Sequence, residues 1–312
     1  MALVWLDSFK IYSNSIANME RKYPDSRLHP SSFVNGRTSR CLSFSGWHFT
    51  TPSLPESEVY TVGFAFQNVN LDRPITIMHF MNKHVSLNMT GEVFSIGGVC
   101  SRKIDVGAWY YLEMQLRTNP GSVTLKINEE VAIHCPFGVP EPKIDRVTFC
   151  STCGKGAYLI DDLYIRNDDQ FLGDVVVEAM LPNSEGEFSQ WQPMQPGAPN
   201  YANVTHPHGD VGCVYTNQVN AIDTYHFQRP LLQGDIKGVM LNLMLRNTDS
   251  RKHEINPVVN MPSGRIELPH LTVTDTAYRF TPVVIENLPG EGGGVWTNEI
   301  LAKTEFGVKL KS

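Results

Sequence analysis

Long apolar runs are missing from this 312-residue chain. Its longest uncharged apolar stretches, such as Val59 to Phe66 and Val239 to Leu245, fall far short of the roughly 20 residues that a membrane helix needs, so no membrane insertion is expected. Basic runs are equally scarce. None is longer than Arg251-Lys252-His253, and 26 Lys+Arg stand against 32 Asp+Glu for a net charge of −6, which argues against a counterion-releasing nucleic-acid face. The first ten residues carry Asp7 and neither a basic nor an apolar segment of signal-peptide kind, so export by that route is not expected. Six cysteines (41, 100, 135, 150, 153 and 213) are too sparse for a small disulfide scaffold, and free thiols are the expectation.

Catalytic signatures are also lacking. There is no GxSxG, HExxH, Walker A or GxGxxG, and Gly290 to Gly294 matches none of these spacings. A sandwich glycosidase would need two carboxylates at even spacing on one strand, and Glu113, Glu129, Glu130, Asp161 and Asp162 supply no such pair. The expectation is a protein that is not an enzyme.

What is present can fill a core: 41% hydrophobic residues, including 15 Phe, 11 Tyr and 5 Trp, in a length that suits two domains. From Arg40 to Ile165 short β-branched or alternating runs are broken by Gly, Pro, Asn and Asp. They include Val59 to Phe66, Ile75 to Phe80, Val85 to Met89, Trp109 to Leu116, Val123 to Ile127 and Tyr158 to Arg166, with one early helix over Ser15 to Arg21. Within Trp109 to Leu116, Tyr110, Leu112, Met114 and Leu116 share one face while Trp109, Tyr111, Glu113 and Gln115 take the other. So many strands in so short a span predict an all-β, two-sheet jelly roll over residues 1–170.

Residues 171–312 are expected to form a smaller, mainly β domain. A run from Asp174 to Pro182 should open it, and a long polar loop over 183–210 should follow. Further strands fall at Val211 to Tyr215, Asp223 to Phe227, Gly238 to Arg246, Ile255 to Asn260 and Ala277 to Val284. Thr297 to Thr304 reads as a short closing helix, with a capping Thr, an acid in its first turn and Lys in its last.

Candidate sites are few. Cys150 and Cys153 form the one CxxC, half of a zinc site, and free thiols are the competing reading. Asp161 and Asp162 are candidate calcium ligands, although alternation along a strand would turn them to opposite faces. His206, His208 and Asp210 can be drawn as a metal site but are better read as solvated loop residues. Trp47, Trp109 and Tyr111 are candidate sugar-stacking aromatics on the sandwich, against the commoner fate of core packing. Trp191 and Tyr201 in the polar loop, together with His206, His208 and Trp296, are candidate docking residues at a subunit contact.

Several stretches in order resemble the concanavalin A-like (laminin-G-like) jelly-roll structural proteins of tailed bacteriophages and prophages. They are Leu6-Asp7-Ser8-Phe9-Lys10-Ile11-Tyr12, Gly36 to Leu42, Gly107 to Glu113, Ile160 to Ile165, Leu172 to Val177 with Ser189-Gln190-Trp191, and Val295-Trp296-Thr297 with Glu305 to Lys309. The resemblance implies a non-enzymatic virion component, in the head decoration, neck or tail and fibres, made in the host cytoplasm. It would assemble as a symmetric homo-oligomer and attach to other virion proteins, and it carries no catalytic residues or obligatory cofactor. A glycan-binding module that contacts the host surface is the alternative.

Overall fold

The computed structural model describes residues 3–27, 32–38, 40–70, 73–80, 85–138, 145–150, 157–249, 251–290 and 293–312. Two compact units divide the chain, Met1–Val177 and Glu178–Ser312. The division falls beyond residue 170 because residues 171–177 hydrogen-bond back onto the first unit.

The first unit is a sandwich of two antiparallel sheets. The large sheet runs Glu130–Pro136, Gly121–Ile127, Trp109–Thr118, Val59–Asn70, Ala157–Arg166, Arg40–Phe44 and Phe33–Asn35, and Leu3–Asp7 also pairs with Ala157–Arg166. The small sheet runs His48–Thr50, Val147–Cys150, Ile75–Phe80, Val85–Thr90, Val93–Ile96 and Val99–Lys103. Period-two alternation sends Tyr60, Val62, Phe64 and Phe66 inward from the central strand, with Leu112, Met114 and Leu116 beside them, all fully buried. Their rings meet the small sheet directly, Phe64 on Phe149 at 5.1 Å and Phe66 on Phe94 at 5.2 Å between centroids. Each such side chain stabilises the fold by about 1.5 to 3 kcal/mol through burial.

The alternate residues of the central strand are buried as well, because the outer face of the large sheet is covered. Gly63 has a specific reason to be glycine. A Cβ there would lie 2.0 Å from the ring of Tyr164, which lies across the neighbouring strand. Gly63→Ala is therefore expected to lower the stability of the sandwich by about 1 to 3 kcal/mol in denaturant melts, as overpacking does.

The opening motif Asp7-Ser8-Phe9-Lys10-Ile11-Tyr12 has a structural meaning. Asp7 is 2% exposed, and its carboxylate accepts from the Phe9 N–H at 2.7 Å, the Lys22 ammonium at 3.0 Å and the hydroxyls of Tyr12 and Tyr23. Trp5 Nε1 donates to the same Tyr23 hydroxyl at 2.8 Å. Lys22 comes from the helix Ile16–Lys22, whose start is capped by the Ser15 hydroxyl accepting from Asn18 N–H at 3.3 Å. Burial pulls the Lys22 ammonium below its ordinary range, and the Asp7 charge opposes that shift.

In the second unit a six-stranded sheet runs Pro182–Ser189, Ile222–Phe227, Glu305–Leu310, His253–Met261 and Gly264–Glu267, with Leu271–Val273 on the other part of His253–Met261. Val239–Leu245 and Arg279–Ile285 form a separate ribbon. The helix Asn298–Lys303 has the predicted chemistry: Thr297 Oγ1 accepts from Ile300 N–H at 3.2 Å, and Glu299 pairs with Lys303 at 2.8 Å. It does not close the chain, however, because Glu305–Leu310 follows and inserts into the middle of the sheet.

Two other expectations for this unit are corrected. Asp174 to Pro182 forms no strand up to Pro182, since its first part lies on the sandwich. Residues 183–210 are not one loop: they hold most of strand Pro182–Ser189, the short strand Gln192–Pro193 and the helix Asn200–Val204. The strand is ordered by its pairing with Ile222–Phe227, and the part around Trp191 and Asn200 by Asp223, fully buried, which accepts from Trp191 N–H at 3.1 Å, Asn200 Nδ2 at 2.9 Å and the Tyr225 hydroxyl.

Candidate functional site

The outer face of the large sheet concentrates the polar chemistry of the sandwich. A β-bulge creates its centre. Asp161 pairs with Ala65 and Tyr164 with Gly63, so one extra residue is inserted, and Asp162 takes a positive φ of 51°. Strict alternation therefore fails here. Both carboxylates enter one cluster, where the alternation rule would have separated them.

Every partner can be named. Asp161 Oδ1 accepts from Asp162 N–H at 3.0 Å and Oδ2 from Arg37 N–H at 3.1 Å. Asp162 Oδ1 accepts from Val177 N–H at 2.8 Å, while Oδ2 has no hydrogen-bond partner and lies 3.9 Å from Arg37 Nη1. The same Arg37 nitrogen donates to Asp174 at 2.5 Å. Next along the face, Glu113 Oε1 accepts from the Tyr164 hydroxyl and from Gly173 N–H at 2.9 Å, and Oε2 is buried without a partner. Burial, reinforced by the Asp162 charge, pushes the Asp161 carboxyl up to about 7. Burial also pushes Asp162 up to about 6, against the lowering effect of Val177 N–H and Arg37.

Residues 168–177 form a strap over this cluster. Gln115 Nε2 donates to Asp169 O at 2.9 Å, Lys126 sits 4.0 Å over the Phe171 ring, and Leu172 N–H donates to the Tyr164 hydroxyl at 3.2 Å. Gly173 and Val177 then reach the carboxylates as described. Gly173 is required by its φ of 77° and by Glu129, 3.1 Å from where a Cβ would stand.

Beyond the strap-bound residues the same face carries a row across four strands. Trp109 pairs with Gln67, Gln67 with Leu159 and Leu159 with Ser43, so these side chains share one side of the sheet. Trp109, Gln67 and Ser43 are each half-buried, which leaves part of each open to solvent; the indole stands beside the Gln67 amide, and Ser43 lies two strands further along the row, beyond Leu159. Gln67 is oriented by its donation to Gly107 O at 2.6 Å.

The other sequence candidates separate clearly. Tyr111 is 2% exposed and donates its hydroxyl to Asp162 O at 3.0 Å, so it belongs to the buried cluster and offers no stacking surface. Trp47 is half-buried. Trp296 is 2% exposed, packs on Phe306 and donates to Ile285 O at 3.0 Å, which makes it core and corrects its reading as a docking residue. Trp191 is half-buried against Ile255, Val273, Val308 and Leu310, and its indole N–H is satisfied by Ala221 O at 3.2 Å. Tyr201 sits in the helix Asn200–Val204, half-buried, with its N–H on Glu185. His206 and His208 are exposed with ring centroids 5.6 Å apart, and the nearby Asp210 is engaged by Arg246 at 2.7 Å and the Tyr278 hydroxyl at 2.8 Å.

Among the described residues no group of three or more His, Cys, Asp or Glu is placed to hold a metal ion. For Asp161 and Asp162 the reason is visible, since three of their four oxygens accept amide protons and the fourth faces an arginine. Cys150 is buried with its thiol 3.6 Å from Thr76 O; Cys153 lies outside the described residues. Sequence reasoning passed over Arg37, Gln67 and Ser43 and gave Glu113 no role at this face, because only the strand register and the bulge bring them together.

No protein-family model matches the chain, and no curated protein does. Solved structures overlap with part of it. A sialidase is similar over 42% of this chain at 16% identity and a TM-score of 0.36, and the overlap spans 15% of that enzyme. Domain 4 of AbnA, an extracellular arabinanase from Geobacillus stearothermophilus solved with arabinotriose, is similar over 43% of this chain and 74% of its own length, at 19% identity and a TM-score of 0.34. The carbohydrate-binding module CBM66 from Bacillus subtilis is similar over 43% of this chain and 90% of its own, at 9% identity and a TM-score of 0.30.

Proposed function

We propose that this protein works by binding and not by turnover, and that its sandwich contacts a glycan through the Trp109 row. The carrying observation is the half-buried Trp109 beside Gln67 on one sheet face, with Ser43 three strands away in the same row. Sugar rings present C–H patches that pack on an aromatic face and hydroxyls that pair with an adjacent amide, and Trp109 with Gln67 offers both. The buried carboxylates Glu113, Asp161 and Asp162, by contrast, lie under the strap with backbone amides and tyrosines on them, an arrangement suited to holding chain in place.

A glycan array probed with the full chain tests this. Binding to at least one glycan class is expected for the wild type, and Trp109→Ala should weaken it by about tenfold or more, the loss of roughly 1 to 2 kcal/mol of aromatic contact. Absence of any hit, or binding unchanged in Trp109→Ala, would remove the proposal.

A second reading rests on the sequence resemblance: a structural component of a tailed-phage particle, built from symmetric copies. The stretch Asp7 to Tyr12 that carries part of that resemblance builds the buried Asp7 network, so the motif has a structural job. The two readings are compatible, since a particle component can present a glycan-contacting sandwich. Locating the chain in purified particles by cryo-electron microscopy tests the second one; its absence from every particle of the source would reject it.

A further inference from the structure

We infer that the strap over residues 168–177 is a latch on the sandwich, closed while the Asp161–Asp162 pair holds a proton and opened when both carboxylates are charged. This inference stands independently of the glycan reading.

The geometry carries it. Two adjacent carboxylates, both with zero exposure, lie together; the Arg37 guanidinium stands 3.9 Å from Asp162, and Asp174 competes for the same guanidinium nitrogen. Two buried oxygens of the cluster, Asp162 Oδ2 and Glu113 Oε2, have no hydrogen-bond partner among the described residues. A buried charge without a donor is far more costly than a buried neutral carboxyl. Two segments lie on the pair: the strap, held through Val177 N–H, and the turn at Arg37, held through its own N–H and tied to the strap by the Arg37–Asp174 pair. Lifting this cover hydrates both carboxylates, so ionisation favours the open form by linkage.

The charged and titratable groups around the pair come from every packed element. Glu113, Tyr111, Tyr164 and Arg166 belong to the sheet, Cys41 to the adjoining strand, and Lys10 and Arg37 to the preceding turns. Asp168, Asp169 and Asp174 belong to the strap itself, and Glu129 and Lys126 lie beside it. Among these groups the acids outnumber the bases, so Arg37 and Lys10, which favour the charged form, act against a more numerous set of acids. The elevated positions of Asp161, about 7, and Asp162, about 6, put the change in a mild range of pH.

Opening would release chain directly preceding the second unit at Glu178.

Hydrogen exchange on the full chain, corrected for the intrinsic pH dependence of exchange, tests the inference. Protection at Gly173 and Val177 should fall by about tenfold between pH 5.5 and 8.5, the equivalent of one pKa unit of linkage, while Met114 in the core of the sheet keeps its protection. In the double variant Asp161→Asn with Asp162→Asn, strap protection should lose its pH dependence. Protection at Gly173 and Val177 that stays constant with pH in the wild type would overturn the latch. A pH dependence retained in the double variant would overturn it too. Should that variant fail to fold, Asp162→Asn alone gives the same reading with a halved response expected.

Discussion

Asp7→Ala is expected to lower the stability of the sandwich by about 3 to 5 kcal/mol, the cost of breaking one side of a buried ion pair. Four donors converge on that carboxylate: the Phe9 amide, the Lys22 ammonium and two tyrosine hydroxyls. Alanine leaves all four without their acceptor, and Lys22, fully buried, has only the Leu6 carbonyl at 3.3 Å and the faces of Trp5, Tyr12 and Tyr23 left. At about 2 to 4 °C per kcal/mol for a domain of this size, the melting temperature should drop by on the order of 10 °C. Calorimetry is the measurement. Asp7→Asn should recover part of the loss, because its amide oxygen still accepts from Phe9 N–H and a tyrosine; equal losses for both variants would contradict the part given to these hydrogen bonds.

The second large effect lies in the other unit. Gly307 sits mid-strand in Glu305–Leu310, opposite Thr224, and a Cβ there would lie 1.9 Å from the carbonyl oxygen of Asp223 and 2.7 Å from Thr224 Cα. Backbone cannot swing aside as a flexible side chain can. Gly307→Ala should therefore cost at least about 3 kcal/mol and disorder the sheet around Asp223 and Glu305. Glu305 is a sensitive reporter. Burial alone would raise its carboxyl, but donors from Asn260, Glu187 N–H and Thr224, with His226 nearby, hold it below the usual carboxylate range. In thermal melts of Gly307→Ala the Asp7-centred unit should keep its transition while that of the second unit moves down. A single merged transition that shifts as a whole would contradict the division at Val177.

How much of this was legible in the sequence depends on which rule each element obeys. The strands of the sandwich core follow period-two alternation, and Leu112, Met114 and Leu116 are buried as that pattern requires. The Thr297 helix is written in local chemistry, so it was readable without tertiary information. Strand Glu305–Leu310 was not. Its residues Glu-Phe-Gly-Val-Lys-Leu carry a charge and a glycine at the positions where a neighbouring strand crosses closely, and only the sheet order explains them. The edge strand Val99–Lys103 is largely exposed, which leaves no alternation to detect. The long polar segment after Pro182 looked irregular because its order comes from distant partners, the strand Ile222–Phe227 and the buried Asp223 within it.

At the site the same distinction holds. Trp109 was readable as a candidate from its strand position, whereas Gln67 becomes its neighbour, and Ser43 a more distant member of the same row, through register alone. For Asp161 and Asp162 alternation predicted opposite faces, and a single inserted residue with a positive φ cancels that prediction. A bulge of this kind leaves no reliable mark in composition, since aspartate tolerates the left-handed region without signalling it.

Co-sedimentation with a surface polysaccharide, followed by length analysis of the polymer, tests the central claim most directly. The wild-type chain should pellet with the polysaccharide and leave its length distribution unchanged, and Trp109→Ala should stay in the supernatant. Shortened polymer after incubation, or Trp109→Ala pelleting as efficiently as the wild type, would contradict a protein that acts by binding through the Trp109 row.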